Sequence, residues 1–272
     1  MAAINKAGMY ANSNDAAREE MVGKSIVNHI AYMAAMEQLG KAVNLGKSYT
    51  APTSGQDTAK MEIVKAIDTA WAYYAGKSSK LAVSLTVSSY AIEFGKCYDT
   101  FNGVLKSFQD AQTAANSGKM TDMNTAIAKI PGQTQVPFIQ GCTRYAQLLD
   151  GQKTATELTW KNAAEAWAFC SALFPLMDSA DAAKLRQMVD PSAGNTVVAS
   201  EVKALLEKNY AKMGVTKSDV GTRTPLKTDD EKAAAVEKCT NSITTGSASA
   251  TGASALLAIF AATAVVIAGA RE

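Results

Sequence analysis

The sequence predicts an all-α fold: a helical bundle with an internal duplication and a hydrophobic C-terminal anchor helix. Three observations predict it. Apolar residues recur at spacings of three and four along most of the chain, the period of one buried helical face. Residues 80–90 alternate as a strand does, but there is little strand signal elsewhere to pair with them, so they read as an irregular lead into a helix. The unit Lys65-Ala66-Ile67-Asp68-Thr69-Ala70-Trp71-Ala72-Tyr73-Tyr74-Ala75-Gly76 returns as Asn162-Ala163-Ala164-Glu165-Ala166-Trp167-Ala168-Phe169-Cys170, with the tryptophans 96 positions apart. Both copies read acid, small residues, Ala-Trp-Ala, aromatic. Recurrence of one helical unit predicts two halves built alike, with chance recurrence in an Ala-rich chain as the alternative.

A first helix is expected over 15–43, capped by Asp15, with Glu19 and Glu20 near its first turns. Val22, Ile26, Ile30, Met33 and Met36 form its expected buried stripe. His29 lies beside that stripe, where a core histidine bonded to a neighbour is the ordinary reading and a metal ligand the sharper one. Gly40 and Gly46 loosen the helix end, and 51–55 is a loop. The helix over 57–75 places Val64, Ile67, Trp71 and Tyr74 on one face, Tyr73 elsewhere, and Gly76 at its C-cap. Asp68 and Tyr73 lie about 140° apart around it and cannot grip one ion from this helix alone.

A helix over 91–115, ended by 116–118, and a short helix over 121–129 follow. Pro131, Gly132 and Pro137 mark a loop, and a helix over 138–150 carries Cys142, Arg144 and Tyr145. In the second copy Trp160, Ala164, Trp167, Ser171 and Phe174 form a buried seam. Glu165 lies about 200° from Trp167, so it is solvated unless both faces of this helix are covered. Pro175 bends or ends that helix. Further helices are expected over 178–189, 200–213 and 228–239. The helical body therefore spans 1–227, with halves near 15–115 and 121–221; a charged helix and small-residue linker occupy 228–252, and a hydrophobic tail 253–270.

Composition excludes several classes. Of 272 residues 47% are hydrophobic and 19% charged, a globular balance. A net charge of +2, with basic residues scattered and not interleaved with aromatics, argues against nucleic acid. A single histidine nearly excludes His-based catalytic and zinc constellations. Four cysteines without CxxC spacing allow two disulfides in three connectivities or buried free thiols. Residues 253–270 carry no charge and are just long enough to cross a bilayer. Behind the small polar run 244–252 they read as a lipid-anchor signal, with a membrane-spanning anchor or a buried core helix as alternatives. The start is not a signal peptide, so the sequence is expected to lack its leader.

Ala70-Trp71-Ala72-Tyr73-Tyr74-Ala75-Gly76, then Glu165-Ala166-Trp167-Ala168-Phe169 ahead of Phe174-Pro175, then Gly214-Val215-Thr216-Lys217-Ser218-Asp219-Val220-Gly221 together resemble the algal iron-assimilation family. These are the low-iron-inducible periplasmic proteins, related to the phytotransferrins of marine algae. The resemblance runs from about Val22 to Gly221, and the order and doubling of the motifs carry it. It implies a secreted or surface-attached helical protein that binds iron for uptake, holding the ferric ion with a helper anion such as carbonate. Two positions depart from the pattern. Lys217 stands where the family leads one to expect cysteine, and Cys170 follows the aromatic where the first copy has Tyr74.

Ferric iron is a hard ion that prefers carboxylate and phenolate oxygens, with imidazole also usable. Asp68, Tyr73, Tyr74, Glu93, Tyr98, Tyr145 and Glu165 supply such oxygens. The expected site lies between the halves, with Asp68, Tyr73 and Tyr145 as first ligands, Glu165 and His29 behind them, and Arg144 holding the anion. Each tyrosine has the alternative of a core residue whose hydroxyl finds a partner. The expected function is a non-enzymatic, membrane-anchored iron-binding protein of the cell surface or periplasm for high-affinity iron uptake, with any uptake receptor left open. The alternative is an anchored helical scaffold or adhesion protein with no metal site. No nucleophile–base pair, phosphate loop or HExxH motif points to an enzyme.

Overall fold

Helices that face one another with alanine and glycine approach closely, and much of this chain's buried surface is made that way. The computed structural model describes residues 11, 13–53, 57–76, 90–97, 99–154, 156, 159–226 and 228–246. They form an all-α fold: α1 (Asp15–Ser25), a π-helical turn (Ile26–Ala31), α2 (Tyr32–Lys47), α3 (Thr58–Ala75), α4 (Asp99–Asn116), α5 (Met120–Ile127), α6 (Ile130–Leu148), α7 (Trp160–Ser171), a 3-10 turn (Phe174–Leu176), α8 (Ser179–Val189), α9 (Ala199–Lys208), α10 (Lys217–Val220) and α11 (Asp229–Gly246). There is no β-strand among the described residues; two isolated bridges, Asp150–Val197 and Lys153–Thr196, tie the two connections together.

Helix α6 is the centre. Fourteen of its 19 residues are buried, so packing, and not propensity, decides that it is a helix. It packs against α4, α5, α7, α9 and α10. This corrects the expectation of a loop at 131–137: Pro131 starts the helix and Pro137 lies inside it. A proline at the first turn costs nothing, since that amide is unpaired in any helix. At Pro137 a backbone bond is forfeited, and full burial of the surrounding turns outweighs that loss.

The first helix also differs from expectation. Asn14, not Asp15, is the N-cap, its side chain accepting from the Ala17 amide at 2.9 Å. The helical run reaches Lys47 and is interrupted by the π turn, which inserts one residue and rotates everything beyond it. Of the expected stripe, Val22 and Met36 pack against the buried clusters, and its middle does not. Ile26, Ile30 and Met33 are exposed, and Ala35, Leu39, Ala42 and Gly46 form the buried face. That face packs on α3, whose own buried face is Ile63, Ala66, Ile67, Ala70 and Tyr74. Trp71 sits among Tyr74, Phe101 and Phe108. Helix α4 begins at Asp99 and not near 91; residues 90–97 make a separate turn.

Helix α1 belongs to a second, smaller cluster of Ala17, Met21, Trp160, Ala164 and Ala168, distinct from the main core. Only Ala17 and Met21 of α1 are buried; with Val22 beside them they pack against Trp160, Ala164, Trp167 and Ala168 of α7. Two disulfides complete the frame: Cys142–Cys170 joins α6 to α7, and Cys97–Cys239 joins the 90–97 turn to α11. No described helix is long and apolar enough to cross a membrane; the expected anchor at 253–270, and most of 80–90, lie outside the described residues.

Candidate functional site

The site grows from the contact between α6 and α7. Gly141 presents bare backbone to Phe169: a Cβ there would stand 2.5 Å from the ring. With Phe169 drawn in and the disulfide beside it, the Tyr145 ring stacks on Phe169 at 5.8 Å and 7°. Tyr90 meets both rings edge-on, at 6.2 and 5.3 Å, an arrangement favoured by the ring quadrupoles. The two phenol oxygens are thereby brought to 3.2 Å. Both tyrosines are buried.

Arg144 lies over this pair, its guanidinium 4.9 Å from the Tyr145 ring and 5.6 Å from that of Tyr90. Its Nε donates to Glu93 at 3.0 Å, and the other Glu93 oxygen accepts from Arg223 at 2.7 Å. Arg223 also donates to Gln147 at 2.7 Å. One carboxylate between two guanidiniums fastens residues 90–97 to α6 and leaves a net positive charge.

On α7, Glu165 is 4% exposed. The expectation that it is solvated is corrected, because both faces of α7 are covered, by α1 and by α6. Its partner is Glu20 of α1, to which it is hydrogen-bonded. Burial first, then that bond and the charge of Glu20, push the Glu165 carboxyl up to about 9. Burial also raises Glu20, but the proton donated by Glu165 together with Lys24 and Lys161 outweighs it, and Glu20 falls below its ordinary value. The pair thus shares one proton, carried by Glu165. Lys161 and Lys24 approach Glu20 at 3.3 and 3.9 Å. Tyr90 is held well above the usual phenol range by burial and then by the Glu165 charge, against the opposing pull of Arg144.

Of the residues expected at the site, Arg144 lies against Tyr145, and Glu165 is near enough to feel the charge of Arg144. The other three do not join them. Asp68 is exposed on α3 and accepts from Gln112 at 2.6 Å. Tyr73 is 46% exposed on the outer side of the same helix, which packs on α2 and α4 and not on α7. The repeated helices therefore do not form a common pocket. His29, on the π turn, pairs its Nε2 with Ser171 Oγ at 3.3 Å near the other end of α7; burial lowers its pKa against a bond to the Ser25 backbone.

Tyr90 and Glu20 are the residues sequence reasoning missed. Tyr90 closes a stretch without helical period, which offers no pattern to place it. Glu20 had a signal: it follows buried Ala17 by three, a spacing that sets the two side by side on the helix.

Among the described residues no three His, Cys, Asp or Glu side chains form a metal-holding group. Counted with phenols, the set is two carboxyls and two tyrosines beside one arginine. The two phenol oxygens, 3.2 Å apart, are bonded to each other and would have to give up that bond and their protons to hold an ion. No family model, curated protein or solved structure matches this chain.

Proposed function

We propose that the chain is a surface or periplasmic iron-binding protein that captures ferric iron for uptake, anchored through its C-terminal tail. The observation that carries this reading is the buried grouping of Tyr90 and Tyr145 with Glu165, beneath the Arg144 guanidinium. Phenolate and carboxylate oxygens are the donors a hard trivalent ion takes. Glu165 is a buried carboxyl beside a second one, Glu20, an arrangement in which a bound cation would take the place of the shared proton. Arg144 supplies the counter-charge for a small helper anion such as carbonate. Asp68, Tyr73 and His29 are left out of this reading by their positions. Two disulfides accord with an oxidising compartment.

The test is addition of ferric nitrilotriacetate with bicarbonate to the purified protein. A visible phenolate-to-iron charge-transfer band, lost in the Tyr90→Phe, Tyr145→Phe double variant, supports the reading. Absence of the band, with no rise in melting temperature, leaves the metal-free scaffold, which the dispersal of Asp68 and Tyr73 already favours for the α3 half.

A further inference from the structure

A cleft of about 550 Å³ opens where the start of α4, the start of α6 and the turn leading into α10 meet. Pockets of that size take small molecules. Two glycines let its walls come together: Gly214, at φ 71°, lies against Gly132 of α6, where a Cβ would stand 2.3 Å from the Gly214 carbonyl oxygen. Thr100, in the first turn of α4, lines the cleft and is only 8% exposed. Its hydroxyl makes no hydrogen bond among the described residues, so the cleft is where a partner would meet it. Gln133 lies over Gly103, its Nε2 3.0 Å from where a Cβ there would stand. Its Oε1 accepts from Ser107 at 3.0 Å, which leaves the amide hydrogens as its free end. Lys96 and Lys129 also line the cleft, and neither makes an ion pair among the described residues. The Lys96 stem is held against Gly221, where a Cβ would come within 3.0 Å of its Cγ.

The geometry points to a binding site in this cleft for a small oxyanion, a phosphate or carboxylate group on a molecule of matching size. The free groups are mostly donors: two ammoniums, the Gln133 amide, and the hydroxyls of Thr100 and Ser218. The amides of the first turn of α4 add to them, since no carbonyl one turn back accepts from them. Charge-assisted bonds from such donors are the strong ones. Two aspartates line the cleft as well. Asp219 is engaged in capping α10, where one of its oxygens accepts from the Thr216 amide and hydroxyl at 2.7 and 2.6 Å. Asp99 is exposed at the start of α4, and its charge opposes the ligand. The cleft shares no residue with the Tyr90–Tyr145 grouping, so oxyanion binding and iron binding stand or fall separately.

The experiment is isothermal titration calorimetry on the full chain without iron, using inorganic phosphate, citrate and, as a neutral control, glucose. Phosphate or citrate is expected to bind at concentrations below about 10 mM, and glucose is not. Which of the two anions binds more tightly tells whether phosphate or carboxylate oxygens are preferred. Lys96→Gln and Lys129→Gln are each expected to weaken binding about 10-fold, and Asp99→Asn to tighten it. Thr100→Val is expected to weaken binding several-fold while the melting temperature without ligand stays level or rises, because the hydroxyl it deletes has no partner to lose. Binding of neither anion, equal binding of glucose, or full-strength anion binding in the two lysine variants overturns the site.

Discussion

Replacing Glu165 with glutamine isolates the buried acid pair. In the unfolded chain this carboxyl titrates near its ordinary 4.5, and in the folded protein near 9. Between those values the native state holds a proton that the unfolded state has released. Stability from this group is therefore complete below about pH 4.5 and is lost as pH rises toward 9. One bound proton corresponds to about 1.4 kcal/mol per pH unit, so by pH 7 the loss is on the order of 3 kcal/mol, less the share returned by the lowered Glu20. An amide donates to Glu20 as the protonated acid does and does not titrate. The variant is expected to match wild type near pH 4.5 and to exceed it by a few kcal/mol at pH 7 and above, without metal. Urea midpoints at pH 5, 7 and 8.5, disulfides intact, measure this. Parallel pH profiles for the two proteins would refute a shared-proton pair.

Tyr145→Phe is expected to weaken the charge-transfer band by about half and to cost about 1 kcal/mol of stability, since Tyr90 loses its partner; spectral titration and urea unfolding read the two effects. Gly141→Ala drives a methyl into the Phe169 ring and is expected to cost roughly 1–3 kcal/mol and to displace Tyr145, seen as a lowered melting temperature with impaired binding. Serine at Cys142 and Cys170 together removes a link across 28 residues and is expected to cost about 3–4 kcal/mol, by the same unfolding assay. Iron binding is expected to weaken steeply on acidification, because capture displaces protons from both phenols and from Glu165; affinity measured at pH 6 and 8 in wild type and Glu165→Gln should differ in slope by about one proton.

The all-α class was legible because helical period survives in nearly every segment, and α3 with its Gly76 cap was legible almost to the residue. The first helix failed at one point. Ile26, Ile30 and Met33, the large apolar residues at and just after the π turn, are exposed, and small ones, Ala35, Ala42 and Gly46, make most of the buried face with Leu39. Pro137 misled for another reason: a local rule was overridden by a helix surrounded on all sides. Of the site, Tyr145, Glu165 and Arg144 were legible from chemistry alone, and the condition for burying Glu165, cover on both faces of α7, could be stated in advance. Asp68 and Tyr73 belong to the repeated motif, yet its two copies serve different neighbours: Trp71 packs among the rings of α3 and α4, Trp167 against Phe174. Tyr90 needed the third dimension.

The Cys97–Cys239 bond spans 142 positions and encloses the Cys142–Cys170 link within its loop, one ring nested inside another. A protease that nicks the backbone anywhere between 98 and 238 therefore separates nothing: the halves stay covalently joined, and so does α11 with whatever follows it. Shedding of the body from its C-terminal end then needs a cut beyond Cys239, or a reductant as well as a cut.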